Sequence, residues 1–423
     1  MRLRLFRRLT TTAAVAVLLA SITTSRPALT PASLPPAKPR IRAVTAFVKL
    51  DREHHEEQIH AALGMLRQAK GVFERAGYEV ESIRITTQPF PEYTRGLARP
   101  EALAFLGAYD ALAQREGFDA AIGPAMLADG DDPAPVDLLA EALSASKSLE
   151  GSVVVAGEDG VHWKAVRAAA RLVKYVSVHS PRSQGNFSFA ATALVPPLTP
   201  FYPGSYHTGE GRAFALGLES ANVVAEALGS TRDPNQARAA LRDALTLHAR
   251  AIEQAAVEVE KQTGWTYAGI DLSPAPLKDV SIGGAIERFT GRPVGAPGTM
   301  TAAAAITGAL RDVPVKHAGY SGLMLPVLED SVLARRWNEG AIGVDSLLAY
   351  SAVCGTGIDV VPLAGSVTEE ELAAMIGDMA TLAVKWHKPL SARLLPVEGK
   401  AAGEMTGFDD PFLVNARLRD MVR

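Results

Sequence analysis

The sequence predicts an α/β protein with a largely parallel sheet. Short runs of β-branched and apolar residues alternate with longer segments in which apolar residues recur every three or four positions, a pattern typical of strands connected by helices. Neither a break in composition nor a charged linker interrupts residues 41–423, so one large domain is favoured. A length of 423 residues suits a single large α/β barrel and also allows two ordinary domains.

The first elements predict a β-α-β unit. Residues 41–49 are a β-branched run that fits a buried strand, and residues 78–86 alternate as a second strand. Between them, residues 54–76 have helical spacing, with Ile59 and Leu63 on the same side. We expect the crossover between the two parallel strands to be right-handed.

The same alternation continues along the chain. Further strands are predicted at 118–123, 151–156, 186–195, 266–271 and 388–397. Further helices are predicted at 100–116, 135–145, 162–176, 212–228, 233–262 and 300–310. The apolar segment 321–326 is expected to be buried.

The first forty residues differ from the rest of the chain. Arginines, including the pair Arg7 and Arg8, precede the apolar stretch 13–22, which is typical of an export signal and too short to span a bilayer. We therefore predict a signal peptide at 1–25, in which the arginine pair resembles that of a twin-arginine signal, and a Pro-rich tether at 26–40. The expected location is periplasmic or extracellular. A disordered leader on a cytoplasmic protein is the alternative.

Composition excludes some partners. The formal net charge is −3 and aromatic residues make up only 6%, which argues against binding to nucleic acid. No stable membrane span is expected once the signal is removed. Because Cys354 is the only cysteine, no internal disulfide can form, and this residue is either a buried small hydrophobe, the better default, or a reactive thiol.

Cys354 precedes a glycine-rich turn that contains Gly355 and Thr356. Glycines beside a thiol would let a substrate approach closely. A nucleophile also needs a base or a lowered pKa, and a histidine such as His207 would have to approach it in space. Asp359 follows five positions later and is a candidate acid or base.

Two acidic positions have both a catalytic and a structural interpretation. Asp271 and Ser273 follow the strand at 266–271, where loops leaving the carboxyl ends of strands often build a site, but they could equally form a turn. Glu329 begins a helix, where the helix dipole stabilises a carboxylate without any function.

Two features predict binding of an anion. Gly295, Gly298 and Thr299 lead into a helix start, whose exposed N–H groups could hold a carboxylate or phosphate, although a tight turn is the simpler explanation. Arg393 lies inside an apolar strand, where an arginine is uncommon unless it meets an anion. The alternative for Arg393 is a buried pair with Asp359 or Glu329. The loop at 398–410 could cap the site.

Four long collinear blocks carry a family resemblance. They read GIDLSPAP, GYSGLMLPVLEDSVLA, YSAVCGTGIDVVPLAG and KPLSARLLPVEGKAAGEMTGFDDPF. Together they resemble the domain of unknown function 711 family, also called uncharacterised protein family 0210, from about Arg40 to the C-terminus. The resemblance implies a fold similar to pyruvate formate-lyase, a large single α/β barrel of about ten strands with a loop reaching in. It implies no particular reaction or cofactor.

These observations predict an enzyme that acts on a small carboxylate or amino-acid-like compound in a buried barrel pocket. The alternative is a non-catalytic small-molecule binding protein or sensor. No spacing of histidines or carboxylates predicts a metal site, and the chain could form a homo-oligomer. The predicted catalytic residues are Cys354, Asp359, Asp271 and Glu329; the predicted ligand-binding residues are Arg393, Ser273, Gly295, Gly298, Thr299, Gly355, Thr356 and His207.

Overall fold

A computed structural model describes residues 37–420, and all ten of its strands belong to one sheet. The strands are β1 Arg40–Val48, β2 Val80–Thr87, β3 Asp119–Pro124, β4 Leu149–Gly157, β5 Gly160–Val161, β6 Phe189–Ala193, β7 Gly211–Glu219, β8 Thr266–Asp271, β9 Gly357–Ala364 and β10 Leu390–Val397. The helices are α1 His55–Arg75, α2 Phe90–Thr94, α3 Arg99–Glu116, α4 Ala134–Ala145, α5 Trp163–His179, α6 Ala221–Gly229, α7 Pro234–Thr263, α8 Ile282–Thr290, α9 Thr299–Arg311, α10 Ser331–Glu339, α11 Val344–Ser351 and α12 Glu369–Trp386. A 3-10 helix spans Pro181–Ser188.

The sheet has a parallel centre and two reversed flanks. Its order is β8-β7-β1-β2-β3-β4-β6-β10-β9, with the short β5 attached to β4. Strands β1, β2, β3, β4 and β6 run parallel, whereas β7 is antiparallel to β1 and β10 is antiparallel to β6. The two flanking pairs therefore run opposite to the centre. The predicted α/β class and the ten strands are confirmed, but the sheet is not closed, so the barrel is not confirmed.

Amphipathic helices cover the parallel centre of the sheet. Ile59, Leu63 and Leu66 of α1 are fully buried, as the helical spacing predicts. They belong to the same apolar cluster as Val44 and Ala46 of β1. Burial of this shared face against the sheet is the main driving force for this layer.

The prediction of a helix at 212–228 is wrong. This stretch forms strand β7 and then the short helix α6. Strand β7 pairs with β1 on one side and β8 on the other, and its residues 213–219 are all buried. Because tertiary pairing on both edges outweighs local propensity, a stretch rich in Ala and Leu becomes a strand here.

An irregular segment, 316–327, connects the two ends of the open sheet. At one end, Ala318 N donates to Ile270 O of β8 at 2.9 Å. At the other, Val327 N donates to Asp359 O of β9 at 3.0 Å. Residues 321–326 are buried, as predicted, although they form neither helix nor strand. This segment, here named the bridging segment, satisfies backbone groups on both edge strands.

The predicted signal peptide and most of the Pro-rich tether lie outside the described residues. Of the tether, only residues 37–40 are described, and Arg40 begins β1. Across residues 37–420, none of the helices combines the length and apolar character that crossing a membrane requires.

Candidate functional site

A cavity of about 750 Å³ lies at the amino-terminal ends of the parallel strands. The first residues of β1, β2, β3 and β4 form one wall. Segments from elsewhere in the chain, at 201–202, 275–277, 324–329 and 410–412, contribute much of the rest, together with single side chains such as Lys70 and Arg393. A cavity of this size fits a small organic molecule. Residues 275–277 follow the carboxyl end of β8, where the sequence placed candidate residues, and that end lies on the cavity side because β8 runs opposite to the centre.

The cavity lining is strongly charged and evenly balanced. Its basic side chains are Arg40, Arg42, Lys70, Arg84, Lys147 and Arg393. Its acidic side chains are Glu79, Glu81, Asp119, Glu150, Glu329 and Asp410. Charges in a partly enclosed cavity are desolvated and interact strongly, so the way they pair decides what the cavity can bind.

One charged cluster joins β1, β2 and β7 at the rim. Arg40 contacts the carboxylate of Glu219, and its Nη2 lies 2.8 Å from Glu81 Oε1. Arg42 Nη1 lies 3.0 Å from Glu81 Oε2. Burial, together with a hydrogen bond to Glu81, raises the pKa of Glu219 to about 7, against the opposing effect of Arg40. The Glu219 carboxyl therefore exchanges its proton near neutral pH.

A second cluster, here named the Arg393 triad, is fully paired. Arg393 Nε donates to Asp359 Oδ1 at 2.5 Å, and Arg393 Nη2 donates to Glu329 Oε1 at 2.5 Å. All three residues are buried, and the guanidinium also lies over the ring of Phe187 at 5.2 Å. This is the buried pairing that the sequence offered as the alternative to anion binding.

Glu150, the second residue of β4, is the least satisfied charge of the cavity. Burial raises the pKa of Glu150 to about 8, with Arg84 opposing the shift and Asp119 adding to it. Within residues 37–420 its carboxyl has neither a hydrogen bond nor an ion pair. Arg84 is directed elsewhere, because its Nε lies 3.3 Å from Asp119 and its guanidinium covers the ring of Tyr202 at 4.7 Å. A carboxyl group titrating near neutral pH can donate or accept a proton.

Sequence reasoning missed Glu150. The predicted strand began at 151, so Glu150 fell in the preceding turn, whereas β4 begins at Leu149. An acidic residue directly before the run GSVVVA was the only available signal.

Cys354 is fully buried, as its default interpretation predicts, and it does not line the cavity. Its carbonyl and that of Ser351 accept hydrogen bonds from Lys388 Nζ, whose pKa is lowered by burial. Gly355 packs directly against Gly322 of the bridging segment, and a Cβ on either glycine would overlap the other backbone. The glycine beside the thiol therefore serves close packing. A nucleophilic role for Cys354 stays a prediction that this burial does not support.

Asp271 and Ser273 hold the bridging segment in place. The Asp271 carboxylate accepts hydrogen bonds from Ser273 N and Oγ, from Tyr320 N at 2.7 Å and from Ser321 N at 3.0 Å. Ser273 Oγ accepts from Gly322 N at 3.1 Å. Burial raises the pKa of Asp271, and these donors oppose the shift. All four donors come from the protein itself, so the arrangement has the geometry of a turn former.

The loop containing Gly295, Gly298 and Thr299 does not line the cavity. Gly295 N donates to Thr299 Oγ1 at 3.1 Å, and Gly295 packs so closely against Ala341 that a Cβ would overlap its carbonyl. With φ of +103° and +108°, both glycines adopt a backbone conformation that disfavours other residues. The structure therefore has the tight turn that the sequence offered as the simpler explanation.

His207 and Thr356 also lie apart from the main cavity. His207 is buried near the opposite end of β1, where its Nε2 donates to Val48 O at 2.9 Å, and burial lowers its pKa. Thr356 lines a small adjoining void together with Asp359 and Arg393. In the part of the chain that the structure describes, its hydroxyl lacks a hydrogen-bond partner. Of the predicted site residues, the structure brings together Arg393, Asp359 and Glu329, with Thr356 close by.

Metal binding has no support in the described part of the chain. Among residues 37–420, no group of three or more His, Cys, Asp or Glu side chains is arranged to hold a metal ion.

The fold and the site together define a mixed α/β protein. It has an open ten-stranded sheet and a charged cavity at the amino-terminal ends of the parallel strands. Comparison with known families identifies it further. Residues 35–409 match the family described as Uncharacterised ACR (DUF711), and the chain belongs to this family.

Relatives from distant organisms match most of the chain. A UPF0210 protein of Pyrobaculum arsenaticum is 33% identical over 362 residues, which cover 79% of this chain and 78% of that protein. The corresponding protein of Methanopyrus kandleri is 29% identical over 403 residues, covering 86% and 87%. That of Syntrophobacter fumaroxidans is 27% identical over 401 residues, covering 87% and 88%.

Proposed function

We propose that this protein is an enzyme that acts on a small carboxylate or amino-acid-like compound in the charged cavity. The observation that carries the proposal is Glu150, a carboxyl group without a partner among the described residues, on the wall of a cavity large enough for such a compound. Enzymes concentrate perturbed, unpaired acids and bases in such cavities.

In this proposal, Glu150 transfers the proton and the neighbouring charges orient the substrate. Because the pKa of Glu150 is raised to about 8, both of its protonation states are accessible near neutral pH. The Arg393 triad forms another part of the lining and keeps its shape through paired charges. Asp359 and Glu329 act here by holding Arg393.

The test is a thermal-shift screen of amino acids, keto acids and dicarboxylates, followed by mass spectrometry of incubated mixtures. A ligand that binds the folded state raises the melting temperature. Glu150→Gln is expected to slow turnover by at least about 100-fold, the usual contribution of a general acid or base. Glu158→Gln is the matched control, because Glu158 lies just beyond the far end of β4 and its side chain is 83% exposed.

Three outcomes separate the alternatives. Turnover that is lost in Glu150→Gln and kept in Glu158→Gln supports the enzyme. A ligand that raises the melting temperature without chemical change favours a non-catalytic binding protein or sensor. No shift with any compound in the screen contradicts both.

We further propose that the fold is of the pyruvate formate-lyase type. Ten strands and a bridging segment hydrogen-bonded to both edge strands support this, since such a segment could stand in for direct closure of the sheet. Superposition of an experimental structure on that fold tests it, and a different strand order would contradict it.

Export by the N-terminal signal also remains a proposal, supported by the arginine-rich start and apolar stretch of residues 1–25. Cell fractionation with sequencing of the mature N-terminus tests it. Full-length protein retained in the cytoplasm would contradict it. A homo-oligomer stays a prediction that light scattering can check.

A further inference from the structure

The arginines that line the cavity are already satisfied. Three of them have both a carboxylate partner and an aromatic ring. Arg42 pairs with Glu81 and stacks on Phe412, Arg84 pairs with Asp119 and stacks on Tyr202, and Arg393 pairs with Asp359 and stacks on Phe187. The fourth, Arg40, contacts three glutamates. An incoming carboxylate would have to compete with these partners for each guanidinium.

Two acidic side chains of the cavity lack an ion-pair partner among the described residues. Glu150 has no ion pair in the described part of the chain, and its neighbour Arg84 is engaged by Asp119. Asp410, on the C-terminal loop, is also unpaired within residues 37–420, where its carboxylate accepts a hydrogen bond only from Phe412 N at 2.8 Å. The remaining basic residues, Lys70 and Lys147, lie at the rim, where Lys147 is exposed and solvated.

We propose that the ligand of this cavity carries an ammonium group and that Glu150 binds it. This inference rests on the proposed function and narrows its substrate class to amino acids and amines. Simple carboxylic acids without an amino group are excluded as ligands. An ammonium supplies the positive charge and the N–H donors that the Glu150 carboxyl lacks among the described residues.

The protonation state of Glu150 makes this inference measurable. Burial raises its pKa to about 8, so at pH 7 the carboxyl of the empty cavity is mostly protonated. An ammonium beside it favours the carboxylate, so binding releases the proton of Glu150 to the solvent. A bound carboxylate would favour the protonated form and release none. The sign of the proton exchange therefore reports the charge of the ligand.

The experiment is isothermal titration calorimetry at pH 7 in two buffers of different ionisation enthalpy. The probes are matched sets that share a carbon skeleton: leucine, isocaproate and isopentylamine; phenylalanine, hydrocinnamate and phenethylamine; glutamate, glutarate and γ-aminobutyrate. We expect binding by members that carry an amino group, with release of nearly one proton per ligand. The release should disappear above about pH 9, where Glu150 is already ionised.

The variants separate recognition from folding. Glu150→Gln should weaken binding of amino-group ligands at least about tenfold and abolish proton release, because the amide neither ionises nor attracts a cation. Glu158→Gln should behave as the unmodified protein does, and circular dichroism confirms that each variant is folded.

The contradicting outcomes differ for the two proposals. Binding of isocaproate, hydrocinnamate or glutarate that equals or exceeds binding of the amino-group partners overturns the ammonium inference and leaves the proposed function intact. Proton release that is as large in Glu150→Gln as in the unmodified protein also overturns the inference, since Glu219, whose pKa is about 7, is the same in both. No heat of binding with any probe overturns both.

Discussion

The Arg393 triad and Glu150 both contribute charged groups to the cavity. They differ in whether these charges are paired within the protein. In the triad, one guanidinium meets two carboxylates at 2.5 Å, so the group is complete without a ligand. At the wall, the Glu150 carboxyl has no cation within ion-pair distance among the described residues, and burial raises its pKa. Burial of a charge therefore marks structural support when the charge is paired, and a candidate site when it is not.

The largest expected effect tests the structural side of this comparison. Arg393→Met removes the cation that pairs with both Asp359 and Glu329 and leaves two buried carboxylates without an ion-pair partner among the described residues. We expect the free energy of unfolding to fall by roughly 3–5 kcal/mol. Urea denaturation followed by circular dichroism measures it.

Arg171→Met is the control for that loss. Arg171 pairs with Asp137 at 2.9 Å, but its side chain is 43% exposed, so we expect a change of about 0–1 kcal/mol. Adding Asp359→Asn and Glu329→Gln to Arg393→Met should recover part of the stability, since it removes the uncompensated charges. If Arg393→Met and Arg171→Met lower the free energy of unfolding equally, the triad contributes no more to stability than a surface ion pair.

A smaller effect, an increase in stability at high pH, tests whether the Glu150 carboxyl is unpaired. Burial raises the pKa of Glu150 from 4.5 to about 8, so the folded protein holds a proton that the unfolded chain releases at lower pH. The stabilising contribution of this proton is complete below about pH 4.5 and is lost as the pH rises through about 8. Glu150→Gln cannot ionise, so at pH 9 we expect the variant to be more stable by roughly 1–3 kcal/mol.

Thermal unfolding of both proteins across about pH 5 to 9 measures that difference. Glu219, whose pKa is raised to about 7, titrates in both proteins and cancels in the comparison. Glu158→Gln serves again as the control and should follow the unmodified protein. Parallel pH profiles for Glu150→Gln and the unmodified protein would show that Glu150 ionises freely in the folded state.

The smallest expected effect concerns Cys354. Its thiol is fully buried in the apolar core and absent from the cavity lining, so Cys354→Ala should lower the free energy of unfolding by about 1 kcal/mol and leave turnover intact. The folded thiol should react with iodoacetamide far more slowly than the unfolded thiol. A Cys354→Ala variant that binds ligand and turns nothing over would instead support the nucleophile predicted from the sequence.

Local patterns predicted many elements because burial there is periodic. Helix α1 follows from the spacing of Ile59 and Leu63, and the strand predicted at 266–271 coincides with β8. Strand β7 was not predicted, because its stretch AFALGL, rich in Ala and Leu, is consistent with a helix until β1 and β8 pair with it. No element was assigned to β9, where all eight residues are buried and periodicity carries no signal.

The candidate site was predicted only in part, because local sequence patterns do not show which residues surround a side chain in space. The sequence indicated that Arg393 inside an apolar strand needed a negative partner, and it named Asp359 and Glu329. It could not indicate Glu150, whose importance comes from the absence of partners around it in space. Cys354 drew attention because it is unique in composition, yet it is fully buried in the apolar core cluster, with Lys388 Nζ at its carbonyl.

By itself, the sequence determined the α/β class, most of the covering helices and the family, since these depend on periodic burial and on collinear blocks of residues. The tertiary structure alone decided that the sheet stays open, that a bridging segment joins its edges, and which charges of the cavity are neutralised. Pairing of charges depends on distances between residues far apart in the chain. Arg40 and Glu219, for example, lie 179 positions apart and become neighbours only when β1 pairs with β7.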